Sequence, residues 1–280
     1  MHPGVALLLH PAARIALTEF TVHPSTVIGL VGLGALYHWR ARHRPAGSAA
    51  TASPGTGQRA TFYAALTLIF LSLNGWLHDL SDGYLFSAHM VQHLVLTLVA
   101  PPMLVMGTPG WMLRPALRWP VIGSIARWVT TPARCFAIFN VVLVAWHLPP
   151  VYELAMRYHA VHIVQHLCFM TAAVLMWWPV LSPLPELPRL SYPGQMLYLF
   201  LMTIPMSIVA ICIGYADSLL YPFYASAARL WGITPMEDQM IGALIMWIPG
   251  GLFFFAIISI VFFRWQQRDG DETRAGAQVR

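Results

Sequence analysis

The chain has 280 residues, 58% of them hydrophobic and only 10% charged, with a mean hydropathy of +0.61. Soluble domains carry about 25% charged residues, so a soluble globular fold is excluded, and the apolar stretches reach the roughly 20 residues needed to cross a bilayer. The excess positive charge is all arginine, set in loops between apolar segments, where it orients a membrane protein and does not mark a nucleic-acid site.

Residues 1–23 read as a segment outside the membrane; the start lacks a basic leader, so no cleavable signal is expected. Seven spans are expected, at roughly 24–39, 60–78, 88–106, 134–148, 159–181, 195–216 and 240–263. The 40–59 connection is rich in Gly, Ala, Ser and Pro and reads as a flexible loop. Residues 266–280 read as a disordered cytoplasmic tail. The expected architecture is an all-α polytopic transmembrane helix bundle filling 24–265, with no second domain.

Arg40, Arg42, Arg44 and Arg59 lie in the first connection and Arg114, Arg118, Arg127 and Arg134 in the third, with no acid in either. Arg264 and Arg268 follow the last span, whereas the alternate loops are acidic or balanced. By the positive-inside rule the N-terminus is expected outside and the C-terminus in the cytoplasm.

That topology gathers imidazoles. "SAHMVQHL" places His89, Gln92 and His93 at the outer end of the third span, and "HAVHIVQHL" places His159, His162, Gln165 and His166 at the outer end of the fifth. Residues i, i+3 and i+4 share a helix face, and polar side chains in a span turn to the bundle interior. His78 and His147 close the second and fourth spans at the same level. The second-plus-third and fourth-plus-fifth spans thus look like two copies of one hairpin.

Neutral imidazole suits Cu, Zn, Fe and Ni, and two histidines one turn apart can hold one ion. His78, His89, His93, His147, His159, His162 and His166 are the candidate ligands. Gln92 and Gln165 fit as groups that orient ligands from behind, and Asp79, Asp238, Gln239, Met90 and Met240 are candidates for the same surroundings. Cys135, Cys168 and Cys212 stand singly, so neither a disulfide frame nor a thiolate site is expected.

At "HMVQHLVLTLVAPPMLVMGTP", "AWHLPPVYELA", "HAVHIVQHL" and "DQMIGALIMWIPGG" the sequence resembles the multi-span CtaG-like cytochrome c oxidase assembly factors, from about residue 60 to residue 265. The resemblance implies a multi-pass protein of the bacterial inner (plasma) membrane, working in the lipid bilayer with cytochrome c oxidase subunits. It implies copper supply to a haem–copper oxidase, and a periplasmic copper donor is a candidate further partner. The positions that match are His78, His89, Gln92, His93, His147, His159, His162, Gln165, His166, Asp238 and Gln239. Two other readings stay open beside a non-catalytic copper handler: a seven-span zinc hydrolase with Asp79 or Asp238 as general base, and haem b held between His93 and His166.

Overall fold

The computed structural model describes residues 20–43 and 53–278. The elements are α1 (Pro24–Arg42), α2 (Thr56–Ser72), α3 (Gly75–Gly83), α4 (Phe86–Gly107), α5 (Pro120–Val129), α6 (Pro132–His147), α7 (Pro149–Arg157), α8 (His159–Leu181), α9 (Tyr192–Gly214) and α10 (Pro235–Gln278). Among the described residues there is no strand. Residues 1–19 and 44–52, which hold most of the expected outer segment and part of the flexible loop, lie outside the described residues.

Four helices are long and apolar enough to cross a membrane: α4, α8, α9 and α10. The number rises to six if each of two bent pairs counts as one span, which falls short of the expected seven. The first expected span is helical, but its end carries His38, Arg40 and Arg42, so α1 lacks the apolar length of the others. The fourth, α6, has 16 residues, roughly 24 Å at 1.5 Å per residue, less than a bilayer core of about 30 Å. It reaches spanning length only together with α5, from which it turns by 79°.

α5 falls where the sequence reading placed a plain connection. Val121, Ile122, Ile125 and Trp128 form its exposed apolar face, at the spacing of one helical stripe. An exposed apolar stripe beside Arg118 and Arg127 is the pattern of a helix lying in the membrane surface.

The second expected span breaks at Leu73–Asn74, and α3 departs from α2 by 44°. Asn74 makes the corner: its amide donates to Phe70 O (2.8 Å) and accepts from His23 N (2.7 Å). Gly75 follows with φ +65° and gives its N–H to Thr21 O (2.8 Å). A Cβ at 75 would run into the Phe20 ring, so this left-handed corner needs glycine. The consequence for the site is direct, since α3 carries His78 and Asp82 across the end of the bundle.

α4 is the most buried of the four long helices and touches α2, α3, α8 and α10. α9 packs along α10 and against α6, which packs along α8. α4 is not a uniform helix, for Val95–Val99 forms a wider π turn just after His93. Pro101, one turn on, has no N–H to give Thr97 O, and the Trp177 indole supplies one at 3.0 Å. At the far end of α4, a Cβ on Gly107 would sit 2.7 Å from Phe62 N, so glycine lets α2 and α4 touch.

Tyr37 donates to Gly107 O at 3.1 Å, and Arg114 Nε meets Glu186 Oε1 at 2.6 Å. These contacts bring the arginine-bearing connections together at one end of the bundle, opposite the histidines. Leu197, Ile208, Leu252 and Phe263 are more than half exposed on the outer face of α9 and α10, an apolar surface suited to lipid. α10 has 44 residues, roughly 66 Å and about twice a bilayer core. The tail expected to be disordered from residue 266 continues it to Gln278, because residues such as Gln266, Gln267 and Arg268 favour helix and no proline interrupts them.

Candidate metal centre

α4 and α8 present their H-x-x-Q-H faces to each other. His89 stacks on His162 with ring centroids 5.4 Å apart and lies 6.1 Å from His166. His93 meets His166 at 5.5 Å and His147 at 6.4 Å, both edge to face. Within each helix the i, i+4 rings touch, at 4.2 Å for His89–His93 and 4.3 Å for His162–His166. All five rings are buried.

α3 closes this set from the end of the bundle with Asp82, whose carboxylate is 11% exposed. Asp82 Oδ2 lies 3.3 Å from His78 Nε2 and 3.2 Å from His162 Nδ1, and Oδ1 accepts from Ser81 Oγ at 3.0 Å. One donor atom each from Asp82, His89 and His162 lies within 4.8 Å of the others. Two ligands of a tetrahedral ion with bonds of about 2.0–2.1 Å stand roughly 3.4 Å apart, so small side-chain shifts bring these three to bonding range.

The hydrogen bonds assign protons. The Gln92 amide atom 2.6 Å from Ser72 O must be its NH2, because two oxygens would repel there. The same nitrogen is 3.2 Å from His78 Nδ1, which must therefore accept. His78 then carries its proton on Nε2, which stands 3.3 Å from Asp82 Oδ2. Both ring nitrogens of His78 are thus engaged, and His78 braces the carboxylate instead of offering a lone pair. His162 Nδ1 stands 3.2 Å from the same oxygen; a proton on Nδ1 would leave Nε2 to bear the ring's lone pair, the arrangement that orients metal-binding imidazoles.

Other buried groups have no partner: both ring nitrogens of His89, His93 and His166, Nε2 of His147, and both amide atoms of Gln165. Leaving a buried polar atom unpaired costs about 1–3 kcal/mol. Several such atoms at one junction therefore represent a deficit that the rest of the fold must offset or a bound ion must relieve. Gln92 and Gln165, alike in sequence, differ here, since the first is fully engaged and the second is not.

The remaining sequence candidates lie elsewhere. His159 is at the rim, stacked at 5.6 Å on His23, which also meets His78 at 4.4 Å. Asp79 turns away and accepts from Thr21 Oγ1. Asp238 is fully buried but caps α4, accepting from Phe86 N (2.6 Å), Ser87 N (3.1 Å) and the Ser87 hydroxyl. Gln239 braces the 215–234 loop through Leu220 N (2.8 Å) and Ile213 O (3.1 Å). Met90 is buried beneath the cluster, whereas Met240 is 47% exposed.

Sequence reasoning did not place Asp82 or His23 in the site. The signal for Asp82 was present, since His78 and Asp82 are spaced i, i+4 in "HDLSD". His23 carried none, as it arrives from a separate segment. A tyrosine layer supports the cluster. Tyr224 donates to Ser81 O (2.8 Å), so Tyr152 must donate to Tyr224 (2.9 Å), and the Tyr152 ring stands 5.3 Å from His89.

Fold and site together define a multi-pass helical membrane protein with a buried junction of imidazoles and one carboxylate at an end of its bundle. The family model for the cytochrome c oxidase caa3 assembly factor matches residues 32–268, and the chain belongs to that family. It is also similar to an uncharacterised protein of Mycobacterium bovis and one of Mycobacterium tuberculosis, each 24% identical over 201 residues, 66% of this chain and 30% of theirs. A Mycobacterium leprae protein is 23% identical over the same share. The match thus spans under a third of the length of these curated relatives. No solved structure matches the chain.

Proposed function

We propose that this chain is a non-catalytic assembly factor that holds copper at the imidazole–carboxylate junction and passes it to a cytochrome c oxidase subunit. The observation that carries this reading is the set of buried, unpartnered ring nitrogens on His89 and His166, facing His162 with Asp82 beside its Nδ1. Family membership supplies the oxidase; the donor set supplies the metal class, since imidazole suits copper and zinc alike and methionines below the junction favour copper.

The residues fit the ion. His89, His162 and His166 would hold it, with Asp82 as a fourth donor or as the group that keeps His162 in its tautomer, and bound copper would be cargo for the oxidase. Asp79 and Asp238, the candidate bases of the hydrolase reading, are committed to Thr21 and to the α4 terminus. His93 and His166 stand edge to face at 5.5 Å, an arrangement that favours a small ion over a haem plane between them.

In this reading the chain crosses the bacterial plasma membrane as about seven spans, α1 and the α5–α6 pair included. The arginine-bearing end is cytoplasmic and the histidine end outside, as the positive-inside rule requires. A periplasmic donor would then load the site from the rim formed by His23 and His159. Metal analysis of the purified protein tests the reading. After loading with Cu(II), about one equivalent per chain is expected, falling to background in His89→Ala plus His162→Ala, and equal Cu(II) in both proteins would contradict it.

A further inference from the structure

A second cluster of donors lies deeper in the bundle, below the junction. His147 ends α6, and its Nδ1 is 2.7 Å from Leu143 O. A carbonyl can only accept, so Nδ1 holds the ring proton and Nε2 bears the lone pair. That Nε2 is buried without a partner, as are both nitrogens of His93, 6.4 Å away between ring centroids. The two rings line a cavity of about 20 Å³, room for one water or one ion.

What else lines this cavity decides its chemistry. The other heteroatoms on its walls belong to Thr97 and to Met90, Met206 and Met246. The Thr97 hydroxyl is spent on His93 O at 2.6 Å. The three methionines are buried and arrive from α4, α9 and α10, three separate helices. Methionine is often an ordinary gap-filler, but filler does not leave two imidazoles unpaired beside it. The Met206 seat is also permitted by its neighbour, since a Cβ on Gly250 would stand 3.2 Å from its sulfur and 2.9 Å from its methyl.

We propose that His93 and His147, with thioethers from Met90, Met206 and Met246, form an inner site selective for a soft monovalent ion, Cu(I) in the cell. Thioether donors select Cu(I) and are poor partners for Zn(II) or Cu(II), which the imidazole–carboxylate set above accepts. The inner site shares no donor with the Asp82, His89, His162 trio, so the two sort copper by oxidation state. Only the choice of physiological ion rests on the copper-handling reading; the preference for soft ions follows from the donors themselves.

The test uses the purified full-length chain in detergent, with Ag(I) as the redox-inert probe and anaerobic Cu(I) alongside it. X-ray absorption at the metal edge is expected to show sulfur as well as nitrogen neighbours in the wild type. In Met206→Leu plus Met246→Leu the sulfur shell shrinks to Met90 alone and Ag(I) affinity falls about 10- to 100-fold, the range already caused by removing outer-shell partners. Zn(II) binding persists in that variant and is lost instead in His89→Ala plus His162→Ala. That second pair keeps its Ag(I)–sulfur signal, so failure of the outer site and failure of the inner one are separable.

Leucine is near methionine in volume and such swaps cost under about 1.5 kcal/mol. Should the variant nevertheless fail to fold, selenomethionine-labelled wild type gives the same reading, with silver expected as a neighbour at the selenium edge. A nitrogen- and oxygen-only shell, no Ag(I) binding, or unchanged affinity in the methionine variant would overturn the proposal.

Discussion

Asp238 separates two accounts of the site, because the sequence offers it as a neighbour of the metal and the structure uses it to cap α4. Its carboxylate accepts from two backbone N–H groups and one hydroxyl at the helix start, one turn before His89. Hydrogen bonds to a charged acceptor contribute about 1.5–3 kcal/mol each, and a carboxylate there also complements the helix dipole. Asp238→Ala strands the N–H groups of Phe86 and Ser87, and the expected loss is about 3–5 kcal/mol. Asp238→Asn keeps one accepting oxygen but turns its NH2 toward a donor, so about half that loss is expected.

Reversible unfolding in mixed micelles measures both variants, and metal titration of the folded Asn variant completes the experiment. The account expects a stability loss with unchanged metal affinity per folded chain. A stable Asp238→Asn protein that no longer binds metal would refute it and restore Asp238 to the coordination sphere.

Gln92→Leu removes the donor that fixes His78 and leaves Ser72 O unpaired; a stability loss of about 1–3 kcal/mol and a roughly 10- to 100-fold drop in metal affinity are expected by unfolding and titration. Trp177→Phe leaves Thr97 O without its donor at the π turn, so about 1–3 kcal/mol is lost, read as a lower unfolding midpoint with the metal stoichiometry kept. Arg114→Ala serves as the contrasting case. A backbone hydrogen bond and the Arg114 guanidinium hold the Glu186 carboxyl below the usual carboxylate range, so the pair's contribution is present above that range and lost as pH falls through the lowered pKa. The groups are 42% and 46% exposed, so the unfolding midpoint at neutral pH is expected to stay close to that of the wild type.

Much of the site was legible because helix periodicity is strict. The two H-x-x-Q-H phrases put their imidazoles on one face whatever the surroundings, and burial of polar groups dictated which way that face turns. Asp82 was legible in principle from its i, i+4 spacing to His78, but in a loop-like stretch it read as orienting charge. The break at Asn74–Gly75 that brings it over the bundle depends on Phe20 and Thr21, which no local pattern predicts. Asp238 and Gln239 share a motif with the site residues yet serve helix ends, because a carboxylate or amide near a span mouth has backbone donors in reach as well as ligands. The α5 helix was missed for another reason. Its apolar residues follow a helical stripe, but the flanking prolines and arginines gave the segment the composition of a connection.

The central claim concerns the nuclei bonded to copper at the histidine end. Electron spin-echo modulation of Cu(II)-loaded protein counts coordinated imidazoles directly. Signals from at least two histidine rings are expected, reduced in His162→Ala and unaltered in Met206→Leu plus Met246→Leu. Bound Cu(II) with no imidazole modulation, or with the same modulation after His89→Ala plus His162→Ala, would contradict the account.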